Sequence, residues 1–314
     1  MNDVRLMRIN IKPSCSDEDR KNLIEDCLIK SPEEQYVAIG WSYVYTDDGK
    51  RAEPKSFNSY EDFYKETEKL LKKDNKRINH ALNCFWYVKE GDLFWTRDLN
   101  GFYWICRAKG KAEPRYIGKW DVGAVVPVNA YMVGLEVPGQ IKASFNRPYG
   151  GVIDDSFDEI MINYSKHLYN QFEKDDRKKY SNIIKQEGNM IRNLSPEDLE
   201  ELVISYLQIK QDYYLLSNSI ARGSTTVLIE CEFISRDKNH PKKAVVQVKA
   251  KPKIDPNDYQ EYLKRGYEVY FYDGGQVKNV PKYKYISEKE LLDFFDEYKA
   301  VLPESITKWE TLYD

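Results

Sequence analysis

The run Ala244-Val-Val-Gln-Val-Lys-Ala250 sets an amide and a lysine on one face of an otherwise apolar strand. Alternation sends Val245, Gln247 and Lys249 to one side and Ala244, Val246, Val248 and Ala250 to the other, so the polar pair stands together. Upstream, Thr225-Thr-Val-Leu-Ile-Glu-Cys-Glu-Phe-Ile-Ser235 repeats the pattern with carboxylates. Val227, Ile229, Cys231 and Phe233 form its apolar side, and Glu230 and Glu232 lie opposite. If these strands are antiparallel neighbours joined by the polar loop Arg236-Asp-Lys-Asn-His-Pro-Lys-Lys243, the carboxylates, the amide and the ammonium converge. Oxygen donors beside a cation suit a divalent metal and a scissile phosphate. The bland alternative is a hairpin with one solvated face, on which Glu230, Glu232 and Lys249 are ordinary cross-strand charges.

The surrounding elements favour the convergent site. Ser195-Pro-Glu-Asp198 is a helix start, with Ser as N-cap and Pro in the first turn, and Leu199, Leu202, Val203, Tyr206 and Leu207 form a buried stripe. Strands follow over 213–218, 225–235 and 244–250. A short helix then runs from Asn257 to Gly266, followed by the strand Tyr267-Glu-Val-Tyr-Phe-Tyr272 and a helix capped by Ser287-Glu-Lys-Glu290. Helix, strands, helix, strand, helix predicts an α/β sandwich. Glu200, on the helix from Ser195, is placed to orient a water from the side, although Glu197 and Glu201 share that helix.

Helix-Glu, strand carboxylate, then Gln-x-Lys on the next strand resembles the PD-(D/E)XK nuclease superfamily, particularly its Mrr-like restriction branch, over residues of about 190–300. The resemblance implies a restriction-endonuclease-like sandwich with Glu200 as the helical acid. It further implies Glu230, with Glu232 as the alternative, as the strand carboxylate, and Gln247 and Lys249 as the third motif. Glu230 and Gln247 would then hold Mg²⁺, or Mn²⁺. The family usually has Asp on that strand where this chain offers only glutamates, and its Gly-rich approach is partly present as Ala221-Arg-Gly-Ser-Thr225.

Length and composition bound the rest. At 314 residues with 41% hydrophobic content, two domains are expected. A net charge of −3 and a pI near 5.9 give no global signature of a nucleic-acid binder. Charge is uneven, however: seven Lys or Arg and one Asp fall between Arg236 and Lys253. Lys242, Lys243, Lys251 and Lys253 are therefore candidates to track a DNA backbone beside the site, and His240 adds no more than a phosphate contact. Cys15, Cys27, Cys84, Cys106 and Cys231 are odd in number and lack a C-x-x-C pair, so neither a disulfide framework nor a zinc site is indicated. His80 and His167 have no partner in view. Without an apolar leader or any apolar run near the roughly 18 residues that would span a membrane, a cytoplasmic protein with no membrane partner is expected.

The first half differs in texture. Five of the six tryptophans, Trp41, Trp86, Trp95, Trp104 and Trp120, lie before residue 151. Strand-like runs such as Gln35–Trp41, Asp92–Arg97 and Phe102–Arg107 are punctuated by Gly, Asn and Asp, and Asn100-Gly101 marks a hairpin. Helices opening at Ser16-Asp-Glu-Asp19 and Ser59-Tyr-Glu-Asp62 interrupt them. We expect an α+β, small barrel-like N-terminal domain over 1–151, a helical linker over 152–190, and an α/β nuclease-like domain over 191–314. In the linker, Phe157, Ile160, Tyr164, Leu168 and Phe172 space a helical stripe, and Glu173-Lys-Asp-Asp-Arg-Lys-Lys179 reads as a solvated face. The Gly-Trp, Gly-Asp and Gly-x-Tyr positions of the first domain resemble PUA and EVE modules, or an SH3-like barrel. That resemblance implies a pocket for a flipped or modified base, for which Trp41, Trp95, Tyr103 and Trp104 offer stacking faces. For each of these aromatics the competing role is barrel core.

The expected function is a metal-dependent DNA endonuclease of restriction or antiviral-defence type. Its competitors are a catalytically inactive nuclease-fold scaffold that binds nucleic acid and an effector-activated nuclease acting on RNA. Cutters of this type often dimerise to cleave both strands, so a homodimer is admitted, although the chain carries no dimerisation signal.

Overall fold

The computed structural model describes residues 4–12, 15–42, 56–70, 76–146, 151–220, 228–251, 253–276, 278 and 280–313. It divides into two compact units. The first holds residues up to Val137 and Ile141–Ile184; the second holds Lys185–Asp314 with the short segment Pro138–Gln140. The segment expected as a linker is thus shared, and its helix belongs with the first unit.

In chain order the first half contains β1 (Leu6–Ile9), α1 (Asp17–Leu28), β2 (Tyr36–Ile39), α2 (Tyr60–Leu70), α3 (Lys76–Trp86), β3 (Leu93–Arg97) and β4 (Tyr103–Ala108). There follow β5 (Glu113–Ile117), β6 (Val122–Gly134), α4 (Gly139–Asn146), β7 (Ile153–Asp154) and α5 (Glu159–Phe172). The strands form one sheet in the order β2-β6-β4-β3-β1-β7, with β5 also on β6. The 13-residue β6 changes partners midway: residues 122–127 pair with β5 and β2, and 128–134 with β4. Register shifts lie towards the two ends of β6, at Tyr103/Trp104 on β4 and Pro114/Ile117 on β5, and the sheet curls into a half-barrel. Among the described residues its two end strands, β2 and β7, do not pair with one another, so the expected barrel is open. Between β3 and β4, Asp98 organises the expected hairpin. Its carboxylate accepts from the Asn100 and Phe102 N–H groups at 2.9 and 3.0 Å, and Gly101 takes the left-handed φ of +88° that the turn demands.

One correction concerns Glu173, expected on a solvated face. It is buried at 6% exposure and accepts hydrogen bonds from the Tyr169 and Tyr131 hydroxyls at 2.9 and 3.1 Å. Burial alone would raise its pKa, but the Asp175 N–H and the two phenols outweigh that and lower it.

The second half contains α6 (Pro196–Ile209), β8 (Tyr213–Leu215), β9 (Cys231–Ser235), β10 (Lys243–Lys249), α7 (Gln260–Lys264), β11 (Tyr267–Asp273), β12 (Tyr283–Tyr285), α8 (Glu288–Tyr298) and α9 (Glu304–Thr307). Its sheet order is β12-β11-β10-β9-β8. β8, β9 and β10 form an antiparallel meander; β10, β11 and β12 run parallel, and the β10 to β11 crossover carries α7. The result is a mixed α/β layered unit with the element order helix, three strands, helix, strand. Ser195 caps α6 and a complete capping box at Ser287 and Glu290 starts α8. α6 rests on β8, β10 and α8. Val245, Val269 and Phe271 pack with Tyr259, Tyr262 and Leu263 of the crossover. That packing covers the face bearing Val245 and Gln247, with Val245 fully buried and Gln247 only 4% exposed, while Lys249 at its end stays exposed.

Candidate active site

The antiparallel register pairs Val245 with Glu232 and Val246 with Cys231, and the Glu230 N–H donates to the Val246 carbonyl at 2.9 Å. Continuing that register sets Glu230 opposite Gln247. The Gln247 amide donates to Glu230 Oε1 at 2.6 Å, and Lys249 Nζ stands 3.5 Å from the same oxygen. The strand expected from residue 225 begins only at Cys231, and of the two glutamates it is Glu230, just before it, that joins the amide and the lysine. Glu232 sits one step along the same face, where its N–H donates to Ser219 Oγ and its carboxylate acts on Tyr262.

Glu200 reaches the cluster from α6. Burial, followed by the neighbouring Glu230 and Glu197 carboxylates, pushes its pKa up to about 7 against the opposing pull of Lys249. Tyr259 is a member that sequence reasoning missed. Its hydroxyl donates to the Leu228 carbonyl at 2.7 Å, and its ring side covers the buried Gln247, whose Oε1 lies 3.4 Å from the hydroxyl. The available signal was Asp255-Pro-Asn, a capped helix start that brings Tyr259 onto the strand face. Asp273 is a second. Fully buried at the end of β11 and in register with Lys249, it holds Lys278 and the Lys253 N–H, tying down the segment after Lys249.

The other nominated residues separate. Lys242 and Lys243 precede or begin β10, whereas Lys249 ends it. Six residue steps at about 3.3 Å put the basic loop roughly 20 Å from the cluster along the strand. Lys242 also pairs with Glu268 at 3.2 Å, and Lys243 lies over the Tyr267 ring. The expectation that the whole basic loop flanks the site is thereby corrected: only Lys251 and Lys253, both exposed, share the Lys249 end. Among the aromatics, Trp95 is fully buried with its indole N–H on Ser165 Oγ at 3.0 Å, and Trp104 is buried with its own on Asp98. Tyr103 is buried against Phe145. These three are core and offer no stacking face. Trp41 is half-buried on the same core with a left-handed φ of +66°, an uncommon strain for so large a residue. The Ala221–Thr225 approach and Val227 lie outside the described residues.

No known family profile matches this chain, and no curated protein matches it. Among solved structures, MspJI restriction endonuclease in complex with a 27-mer oligonucleotide aligns at 8% identity and a TM-score of 0.20, over 76% of this chain and 65% of that one. The chain thus spans less than two thirds of that enzyme's length, and likeness at this level decides neither fold nor function. Among the described residues, no helix is long and apolar enough to cross a membrane.

Proposed function

We propose that this chain is a metal-dependent DNA endonuclease of restriction or defence type, in which the second unit hydrolyses the phosphodiester and the first recognises a DNA feature such as a modified base. The observation that carries this reading is the meeting of Gln247 and Lys249 on Glu230, with Glu200 beside them, at one end of a covered sheet. The donor set fits Mg²⁺ or Mn²⁺: Glu230 and the Gln247 carbonyl are hard oxygen ligands, and Glu200, its carboxyl raised by burial and then by the Glu230 and Glu197 charges, stands beside them. Bound there, the ion would polarise the phosphate and acidify a water. Lys249, half-exposed, would orient the attacking water or stabilise charge developing on the phosphoryl oxygens. Glu200, ionising near neutrality, would take the water's proton. Tyr259 and Gln247 would keep Glu230 in place.

The test is incubation of the purified protein with modified and unmodified plasmid or phage DNA in Mg²⁺, Mn²⁺ or EDTA. Cleavage that needs the ion is expected, and Lys249→Ala should lower the single-turnover rate by at least about 10²-fold, the scale of one positioned charge-stabilising donor. Cleavage unchanged in Lys249→Ala would remove the site assignment. A second reading, a non-catalytic nucleic-acid-binding protein, draws on the absence of Asp and on Glu230 being already satisfied by Gln247 and Lys249. Retention of DNA with no cutting of DNA or RNA would select it.

A further inference from the structure

The first unit carries a cluster that phosphodiester hydrolysis does not use. His80 and Cys84 are four residues apart on α3 and so project from one face. Asp155, immediately after β7, meets them there. His80 Nε2 lies 3.6 Å from Cys84 Sγ and 3.2 Å from Asp155 Oδ1, and Cys84 Sγ lies 3.7 Å from Asp155 Oδ2. One ligand atom from each residue falls within a 4.8 Å span. The His80–Cys84 and His80–Asp155 separations are close to the edges of a tetrahedron built on zinc bonds of about 2.0–2.3 Å, which come to roughly 3.4–3.6 Å, and Asp155 meets Cys84 through its other carboxylate oxygen.

The donor types discriminate between metals. Thiolate, imidazole and carboxylate together suit zinc-class transition metals, unlike the all-oxygen set at Glu230, which suits Mg²⁺. The surroundings also resemble a built site. Arg5 stands 4.0 Å from Asp155 Oδ2, is 3.5 Å from the Cys84 carbonyl through its other guanidinium nitrogen, and anchors its own N–H on Asp92 at 3.0 Å. It is thus placed to orient the carboxylate, as partners behind metal ligands do. Asp155 and Arg5 also line a cavity of about 600 Å³ with Phe157, Asn163, Lys166 and Asn182. Of the three, Asp155 borders the cavity, and three protein ligands with one open position are the arrangement of open, rather than closed structural, zinc sites.

We infer that His80, Cys84 and Asp155 form a three-ligand site for a zinc-class divalent transition metal, with its fourth position open to a water or a small ligand in the adjoining cavity. The competing account is a hydrogen-bonded trio with no metal. Titrating the chelator-treated full chain with Co²⁺ separates them. The site predicts one equivalent bound with the intense visible bands of tetrahedral cobalt and a near-ultraviolet thiolate-to-cobalt charge-transfer band, and displacement of both by Zn²⁺. Cys84→Ser should abolish the charge-transfer band, and Asp155→Asn, at a carboxylate 39% exposed, should weaken affinity by at least about tenfold without unfolding the chain. Cys15→Ser should leave the spectrum unchanged, as should Lys249→Ala, which makes this site's failure distinguishable from failure of the nuclease reading. Absence of the band in protein that circular dichroism shows folded, or its survival in Cys84→Ser, would overturn the inference.

Discussion

At the scale of single residues, alternation placed Gln247 and Lys249 together but left Glu230 and Glu232 equivalent, since residues two apart always share a strand face. Register separated them, setting Val245 rather than the amide opposite Glu232. Glu200 was likewise one of three glutamates on its helix until burial and the Glu230 charge singled it out. Its titration has a consequence for stability. With a folded pKa near 7 against an unfolded value near 4.5, the folded chain holds the proton more tightly, so ionisation works against folding. The contribution of Glu200 to stability is therefore undiminished below about pH 4.5, falls across the window to about pH 7, and stays low above it. Glu200→Gln removes that dependence. Thermal melts of both proteins at about pH 5 and about pH 8 should show the variant gaining most at the higher pH, with added Mg²⁺ narrowing the gap. Equal gains at both pH values would mean that Glu200 titrates normally.

At the scale of elements, capping chemistry was the most legible layer. Ser16, Ser59, Ser195 and Ser287 each begin a helix, because an N-cap hydroxyl satisfies backbone N–H groups within four residues of sequence. The Ser195 cap is also part of a buried network. Its hydroxyl accepts from the Asp198 N–H at 3.2 Å and donates to Asp198 Oδ2 at 2.9 Å, and the Trp309 indole donates to the same oxygen at 3.1 Å. Ser195→Ala should destabilise the chain by about 1–2 kcal/mol, measured by urea denaturation, and slow cleavage because α6 carries Glu200. A stability loss with an unchanged rate would detach the helix start from the site. α3 shows the opposite lesson. Ile78, Ala81, Leu82 and Phe85 have the helical spacing that marks it, and with it the His80-x-x-x-Cys84 face, a signal outside the strand-like runs and the two capped helices of the first half.

At the scale of the whole molecule, charge position matters more than the net charge of −3. Lys242 and Lys243 are adjacent in sequence to one end of β10, and Lys251 and Lys253 to the end that carries Lys249. Replacing Lys251 and Lys253 with Ala should therefore weaken DNA retention and reduce the slope of log affinity against log salt by about 1–2, as two lost phosphate contacts require. The same substitutions at Lys242 and Lys243 should change it less, since Lys242 is paired with Glu268. Filter binding across a salt series reads both; equal slopes for the two variants would remove the directional reading.

Local patterns are written in the chain because they depend on neighbours in sequence: the helix caps, the hairpin at Asn100-Gly101, the alternating strands and the mixed α/β order of the second half were determined by sequence alone. Burial and register depend on what another element covers, and only the tertiary structure decided them. It turned Trp95, Tyr103 and Trp104 into core, seated Gln247 under Tyr259, joined Glu230 rather than Glu232 to Gln247 and Lys249, and brought Asp155 to Cys84 across 71 residues of chain, with His80 beside it.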